Sequence, residues 1–252
     1  MSTPTVTLEI TVVLVTGANQ GIGLEIVKKL TAENPDYHVI LSGRRPDAVK
    51  EAAAPFQIKG LRVSTLILDI TSDESIQAAV KTVEADFGRL DVLINNSAIS
   101  GFDIHPIRER MQAVYNTNVI GTALVTDAFI PLLARSTGTR RVVFVSSTLG
   151  SLALKADANL GFPFREGNFG VYTHSKAALN MLALHYATEH EGDARWKFNI
   201  ADPAYYCGTN LNGFQGTSTP ELGAISACRL ATIGADGETG TFTNDTGATV
   251  PF

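Results

Sequence analysis

Val12 to Val15 form an unbroken apolar run that meets a polar, glycine-punctuated turn (Thr16 to Gly23) and then a helix-compatible stretch over 24–30. A short apolar run of this kind reads as a parallel strand buried on both faces. The alternation continues down the chain. Asn34-Pro35-Asp36 is a stop signal, residues 38–42 read as a second strand, and that strand ends in Gly43-Arg44-Arg45-Pro46. Residues 61–68 form a third strand closed by Asp69-Ile70, and Thr71-Ser72-Asp73-Glu74 opens a helix to about residue 87. A fourth strand leads to Asn95-Asn96-Ser97-Ala98, and helical periodicity then runs over 106–135. Residues 141–145 are a fifth strand that delivers Ser146 and Ser147 to its carboxyl end, and 151–170 read as a loop or short insertion. A helix over 171–189 carries Tyr172, His174 and Lys176. Strand six, 196–201, is broken by Asp202-Pro203; a polar Gly/Asn/Thr-rich stretch follows to 219. Thr219-Pro220-Glu221 combines an N-cap, a first-turn proline and an acid, opening a helix to about 233, and 239–243 is a last strand. Strand and helix alternate throughout, so the expected class is α/β: a doubly wound, mostly parallel seven-stranded sheet with helices on both faces.

Composition narrows the partners. The 252 residues suit one domain over 1–252, with a substrate-loop insertion near 151–170 and a lid segment near 203–219. The net charge of −5 and the scattered lysines and arginines argue against a nucleic-acid surface. Two cysteines, Cys207 and Cys228, provide no disulfide framework and fit a reducing, cytoplasmic setting. No apolar run approaches the ~20 residues of a membrane span, and residues 1–9 show no secretory pattern. The five histidines have no metal-ligand spacing, so no metal is expected.

The first turn has its own chemistry. Glycine permits otherwise strained dihedrals and close backbone approach, and a following helix presents free N–H groups and a positive dipole end that suit phosphate. In a dinucleotide-binding sheet the end of the second strand meets the adenosine ribose. A carboxylate there suits NAD; Arg44 and Arg45 instead offer guanidinium groups to a 2′-phosphate, favouring NADP. Asn95, at a strand's carboxyl end, can bond a ligand edge or local backbone. Asn118 stands mid-helix and on that ground alone reads as solvent-facing. Tyr172 and Lys176 are four apart and share a helix face. A phenol of pKa ~10 is a poor proton donor at neutral pH. An ammonium ~4 Å away is worth up to ~4 kcal/mol at an effective dielectric of 20, which would bring the phenol near 7, where acid–base catalysis is effective. That chemistry suits proton exchange with a carbonyl or alcohol oxygen while a nicotinamide exchanges hydride with its carbon.

Taken together, these motifs resemble the short-chain dehydrogenase/reductase family, in its single-domain branch and its carbonyl-reductase-like, NADPH-using subgroup. Thr16-Gly17-Ala18-Asn19-Gln20-Gly21-Ile22-Gly23 matches TGxxxGxG, Asp69 the acid near adenine, and Asn95-Asn96-Ser97-Ala98 resembles NNAG. Asn118-Val119-Ile120-Gly121 is similar to NVxG, Ser147 matches the catalytic serine, and Tyr172-Thr173-His174-Ser175-Lys176 matches YxxxK. The resemblance implies a Rossmann-like fold with Tyr172 as proton donor in reduction. Lys176 would hold the nicotinamide ribose and lower the tyrosine pKa, Ser147 would polarise the carbonyl, and Asn118 would position a relay water. Implied cofactor contacts are Gly17, Asn19, Gln20, Gly21, Ile22, Arg44, Asp69, Ile70, Asn95, Tyr172, Lys176 and Thr209, with Ser146 as a further one. It also implies a homodimer or homotetramer built through the helices around Asn118 and Tyr172.

The chain departs from the pattern in places. Ser147 and Tyr172 are 25 positions apart (172 − 147), longer than usual, so the extra residues should influence substrate choice at the pocket mouth. Pro203-Ala204 replaces Pro-Gly, which leaves the path of the following loop, and Thr209 with it, open. Gln20 stands where related reductases often carry lysine. Phe102, Leu149, Phe162, Phe164, Tyr205, Tyr206 and Phe214 fall in segments expected to line the pocket, and their size hints at an apolar or aromatic substrate. The reading is an NADPH-dependent reductase of a small or medium organic ketone. Its rivals are a nucleotide-binding scaffold or sensor without hydride transfer, and a reductase-derived enzyme of cyclisation or isomerisation.

Overall fold

The computed structural model describes residues 10–164, 169–204 and 207–252. Tyr205 and Tyr206 therefore lie outside the described residues, as does part of the 151–170 segment. The elements run β1 (Thr11–Val15), α1 (Gly21–Glu33), β2 (Tyr37–Gly43), α2 (Pro46–Ile58), β3 (Val63–Ile67), α3 (Asp73–Phe87), β4 (Val92–Asn95), α4 (Ile107–Tyr115), a π-helical segment (Asn116–Gly121) and α5 (Thr122–Leu133). They continue with β5 (Arg140–Val145), α6 (Leu152–Ala156), α7 (Gly170–Glu189), β6 (Trp196–Ala201), α8 (Pro220–Gly223), α9 (Ile225–Thr232) and β7 (Phe242–Thr243).

The seven strands form one sheet in the order β3-β2-β1-β4-β5-β6-β7, and every pairing is parallel. Strand residues alternate between two cores. Val12 and Leu14 face α3, α5 and α7, where Ile76, Phe129 and Leu179 are buried. Val13 and Val15 face α1, α2 and α9, where Ile26, Phe56 and Leu230 are buried. Apolar area removed from water on both faces is what holds a parallel sheet of this kind. Strand order reverses between β1 and β4, so their carboxyl ends splay and open a crevice.

Several elements differ from the sequence expectation. Helix α2 is not predicted: its sequence is alanine-rich with Pro55 inside, yet Pro46 starts it and Val49, Ala53 and Phe56 bury one face. Residues 106–135 are not one regular helix but α4 and α5 joined by the π-helical turn. The 151–170 segment contains α6, capped by Ser151, whose hydroxyl accepts Leu154 N at 3.1 Å. The helix expected to 233 is two, α8 and α9, and β7 is shorter than 239–243. Among the described residues, no helix is long and apolar enough to cross a membrane, and no group of three or more His, Cys, Asp or Glu is placed to hold a metal.

Candidate active site

The turn after β1 is built from close approaches. Gly17 and Gly21 have φ of 62° and 56°, in the left-handed region. A methyl on Gly17 would lie 2.7 Å from Ser97 Oγ, and one on Gly23 would lie 2.5 Å from Asn96 Nδ2 and 2.6 Å from Gly17 O. Asn96 fastens the turn: its Nδ2 donates to Thr16 O at 2.9 Å and Gly17 O at 3.2 Å. Buried Thr16 accepts Asn96 N and Ser97 N on Oγ1, at 2.9 and 3.0 Å. Helix α1 then begins with no side-chain cap and no acid in its first turn, so its positive end is not neutralised from within. A glycine cradle closed to any side chain, with free N–H groups at the helix start, fits a pyrophosphate.

The crevice continues at the end of β2. Asn19 lies over Gly43, whose added methyl would meet Asn19 Oδ1 at 2.7 Å. Arg44 and Arg45 are exposed just beyond. Asp69 is half-buried, and its carboxylate accepts Thr71 N at 2.9 Å and Thr71 Oγ1 at 2.7 Å. Burial raises its pKa, but the two Thr71 bonds and the nearby Arg44 charge outweigh it, and Asp69 stays below the ordinary value. Ile70 is buried, and its carbonyl lies against Gly121, where a methyl would come within 2.4 Å of it. On the other rim, Thr209 packs beside Gly21, a methyl there lying 3.4 Å from Thr209 Cγ2. Ile22 packs under Gly223, and Gln20 Oε1 accepts Asn210 Nδ2 at 3.5 Å. Ser100 Oγ, after β4, donates to Leu211 O at 2.8 Å, so the 203–219 segment is tied to both sides of the crevice.

The corner that carries Ser147, Tyr172 and Lys176 lies at the end of β5, against α7. Ser147 is half-buried and its Oγ accepts Leu149 N at 3.2 Å, capping the 3-10 turn Thr148–Gly150. A methyl on Gly150 would lie 2.8 Å from Lys176 C, so this glycine is what lets the turn press against α7. Lys176 is buried and its Nζ donates to Val145 O at 2.8 Å. It lies 5.6 Å from the Tyr172 ring centroid. Asn118 is 1% exposed. Its Oδ1 accepts Ile99 N at 2.9 Å, and its Nδ2 donates to Ile99 O at 3.0 Å and Ser175 Oγ at 3.1 Å.

Four expectations change here. Asn118 is not solvent-facing: the π-helical turn swings it inward, where its amide ties the loop after β4 to α7. Ser146 does not offer its hydroxyl to a cofactor, because Oγ is buried and donates to Asn180 Oδ1 at 2.6 Å. Asn95 turns its amide to Thr126 Oγ1, at 2.9 Å, inside the protein. Nor does the ammonium draw the phenol toward 7 in the chain as it stands. Burial raises the Tyr172 pKa above its ordinary value, the charge of Asp202 raises it further, and burial pushes Lys176 down to about 7. The point-charge argument omitted desolvation, which here acts against both charged forms.

The replaced glycine is also settled. Ala204 adopts φ of 63°, keeping the left-handed path a glycine would take despite the cost of its Cβ. Ala204→Gly is expected to stabilise the fold by about 0.5–1 kcal/mol, after the entropy of glycine in the unfolded chain is offset; a denaturant midpoint unchanged or lowered would refute the strain. One residue of the corner was not singled out by its sequence: Asp202, 3% exposed, whose Oδ1 accepts Thr148 N at 2.9 Å.

Fold and corner together define a dinucleotide-binding oxidoreductase. Residues 11–215 match the family model described as short chain dehydrogenase, and the chain belongs to the short-chain dehydrogenase/reductase family. Short-chain dehydrogenase anuI of Penicillium roqueforti is 36% identical over 239 residues, covering 90% of each chain. Carbonyl reductase [NADPH] 1 of Rattus norvegicus is 30% identical over 270 residues, covering 93% of this chain and 96% of its own. Among solved structures, NADPH-bound carbonyl reductase from chicken fatty liver is 26% identical with a TM-score of 0.79, covering 97% of this chain and all of the other.

Proposed function

We propose that this protein is an NADPH-dependent carbonyl reductase that delivers a hydride to the ketone of a small or medium organic substrate, with Tyr172 as proton donor. The observation that carries this reading is the packing of the Ser147 turn, after β5, on the stretch of α7 that carries Tyr172 and Lys176, with Lys176 bonded to Val145 O. Two relatives whose names specify NADPH and carbonyl reduction support it.

Gly17, Asn19, Gln20, Gly21, Ile22, Asp69, Ile70 and Thr209 would hold the dinucleotide, with Arg44 reaching its 2′-phosphate and Asn95 left in its buried bond to Thr126. The bound cofactor supplies the hydride. Everything else falls to the chain. Ser147 has a hydroxyl proton to donate to the substrate oxygen. Tyr172 carries its proton at neutral pH and would give it to that oxygen once a bound substrate and cofactor offset the burial that holds its pKa up. Lys176, poised near 7, can pass protons at neutral pH and hold a ribose hydroxyl. Asn118 fixes the distance between α7 and the loop after β4, with both Nδ2 protons engaged. Exposed Met111, Ile120, Leu124 and Met181 give α4, the π-helical turn, α5 and α7 apolar outer positions that support a homodimer or homotetramer.

The test is NADPH oxidation against a panel of ketones after cofactor binding is established by fluorescence. Turnover of at least one ketone is expected; a bound cofactor that no carbonyl oxidises would overturn the reading. Arg44→Asp should lower the NADPH-over-NADH ratio of kcat/KM by about 10–100-fold, since it removes a phosphate partner and adds a repelling charge. An unchanged ratio would remove Arg44 from the cofactor site.

A further inference from the structure

Ser146 and Ser147 stand side by side after β5, yet their hydroxyls have opposite surroundings. Ser146 is buried and its Oγ donates to Asn180 Oδ1 at 2.6 Å. Ser147 Oγ accepts Leu149 N, and among the described residues its own proton has no acceptor. Asn180 lies on α7, one helical turn beyond Lys176 and two beyond Tyr172, and is 3% exposed. Its Nδ2 donates to Gly150 O at 3.4 Å. A carbonyl oxygen can only accept, so the amide has one orientation here: Nδ2 faces Gly150, and Oδ1 is left for the Ser146 hydroxyl. One buried side chain thus holds the residue before Ser147 and the last residue of the 3-10 turn that Ser147 caps. Inside that turn Gly150 N donates to Ser147 O at 2.8 Å, so a shift at either end is passed to the serine.

We propose that Asn180 is a positioning residue of this site: its amide brackets the Ser147 turn at both ends and sets the serine hydroxyl in register with Tyr172 on the same helix. This rests on the reductase reading above and adds to it a residue that acts through Ser147. Lys176 Nζ on Val145 O, and the close approach of Gly150 to the Lys176 backbone, seat the turn on α7. The Asn180 amide spans the turn from one end to the other. Thr148 N is held separately by Asp202 Oδ1, from the β6 side. Of these grips, those from α7 tie the serine to the helix that carries Tyr172. Removed from water, the two amide bonds fix geometry more firmly than they would at the surface. Asn180 also takes up the Ser146 hydroxyl, which leaves Ser147 as the serine of the pair whose proton is available to a substrate oxygen.

A double-mutant cycle tests this. Asn180→Leu removes both bonds at nearly the same side-chain volume. Ketone kcat is expected to fall about 10–100-fold, the effect of a catalytic group displaced by about an ångström, while the Kd for NADPH stays as in the wild type. In a Ser147→Ala background the same substitution should lower kcat by no more than about threefold, because residues that act as a unit lose their effects together. An equal loss in both backgrounds, or wild-type kcat in Asn180→Leu, would overturn the proposal while leaving the reductase reading intact. Amide hydrogen exchange reads the bracket without turnover, and decides where the Ser147→Ala background is too slow to follow. The Gly150 and Ser151 N–H groups, bonded within the turn, should lose protection in Asn180→Leu while those over 176–186 keep theirs. Unchanged protection in the turn would overturn the proposal. A wild type inert to every carbonyl, with that protection still lost in Asn180→Leu, would sink the reductase reading and leave the bracket standing. If Asn180→Leu fails to fold, Ser146→Ala takes its place by removing one of the two bonds. A kcat loss that vanishes in the Ser147→Ala background then supports the proposal, and wild-type kcat with wild-type protection overturns it.

Discussion

Tyr172→Phe should bind NADPH as the wild type does and lose ketone reduction by about 10²–10⁴-fold in kcat/KM, the usual worth of a positioned proton donor. The substitution removes one hydroxyl from a half-buried ring and leaves the ring's packing and Lys176 in place. No described residue is hydrogen-bonded to that hydroxyl, so the fold should keep its stability to within about 0.5 kcal/mol. The loss must therefore appear in kcat with the cofactor Kd unchanged. Turnover within a few-fold of wild type would mean that the proton comes from elsewhere.

Gly23→Ala should damage fold and cofactor binding together. The added methyl would lie 2.5 Å from Asn96 Nδ2, 2.6 Å from Gly17 O and 2.9 Å from Ala18 Cα. Two of those three atoms are backbone and the third is the amide that fastens the turn, so none can move away freely. Overpacking of this kind costs about 1–3 kcal/mol, and relieving it must open the Thr16–Gly17 turn held by Asn96. A fall of several degrees in Tm is expected, with NADPH affinity weakened about tenfold or more, since a tenfold change corresponds to only ~1.4 kcal/mol. Wild-type affinity in a folded variant would show that the cradle does not carry the phosphates.

Much of the architecture is legible before any coordinates, because the strands of a parallel sheet are buried on both faces and therefore read as unbroken apolar runs. Val12 to Val15 and Val142 to Val145 show this directly, whereas 196–201 interleaves Lys197 and Asn199, which are buried as well. Helix α2 was hidden because its stability comes from tertiary burial of three residues rather than from periodicity strong enough to survive Pro55. Asn118 was misread alone because helical spacing assumes a regular helix. The π-helical turn changes which residues face inward, and Gly121 allows it to approach Ile70 O. The motif for the site was local and so visible. The protonation states were not, because they depend on how much water the fold removes from Tyr172 and Lys176. Asp202 was out of reach for the same reason: its partner, Thr148 N, is distant in sequence and is a backbone group that any residue could supply.

The direct test of hydride transfer governed by this corner uses NADPH deuterated at the transferable C4 position with a ketone that the wild type accepts. Wild type should yield alcohol with one deuterium on the carbinol carbon, and Tyr172→Phe, with cofactor bound, should yield almost none. Alcohol without deuterium, or equal labelling by both proteins, would contradict the account.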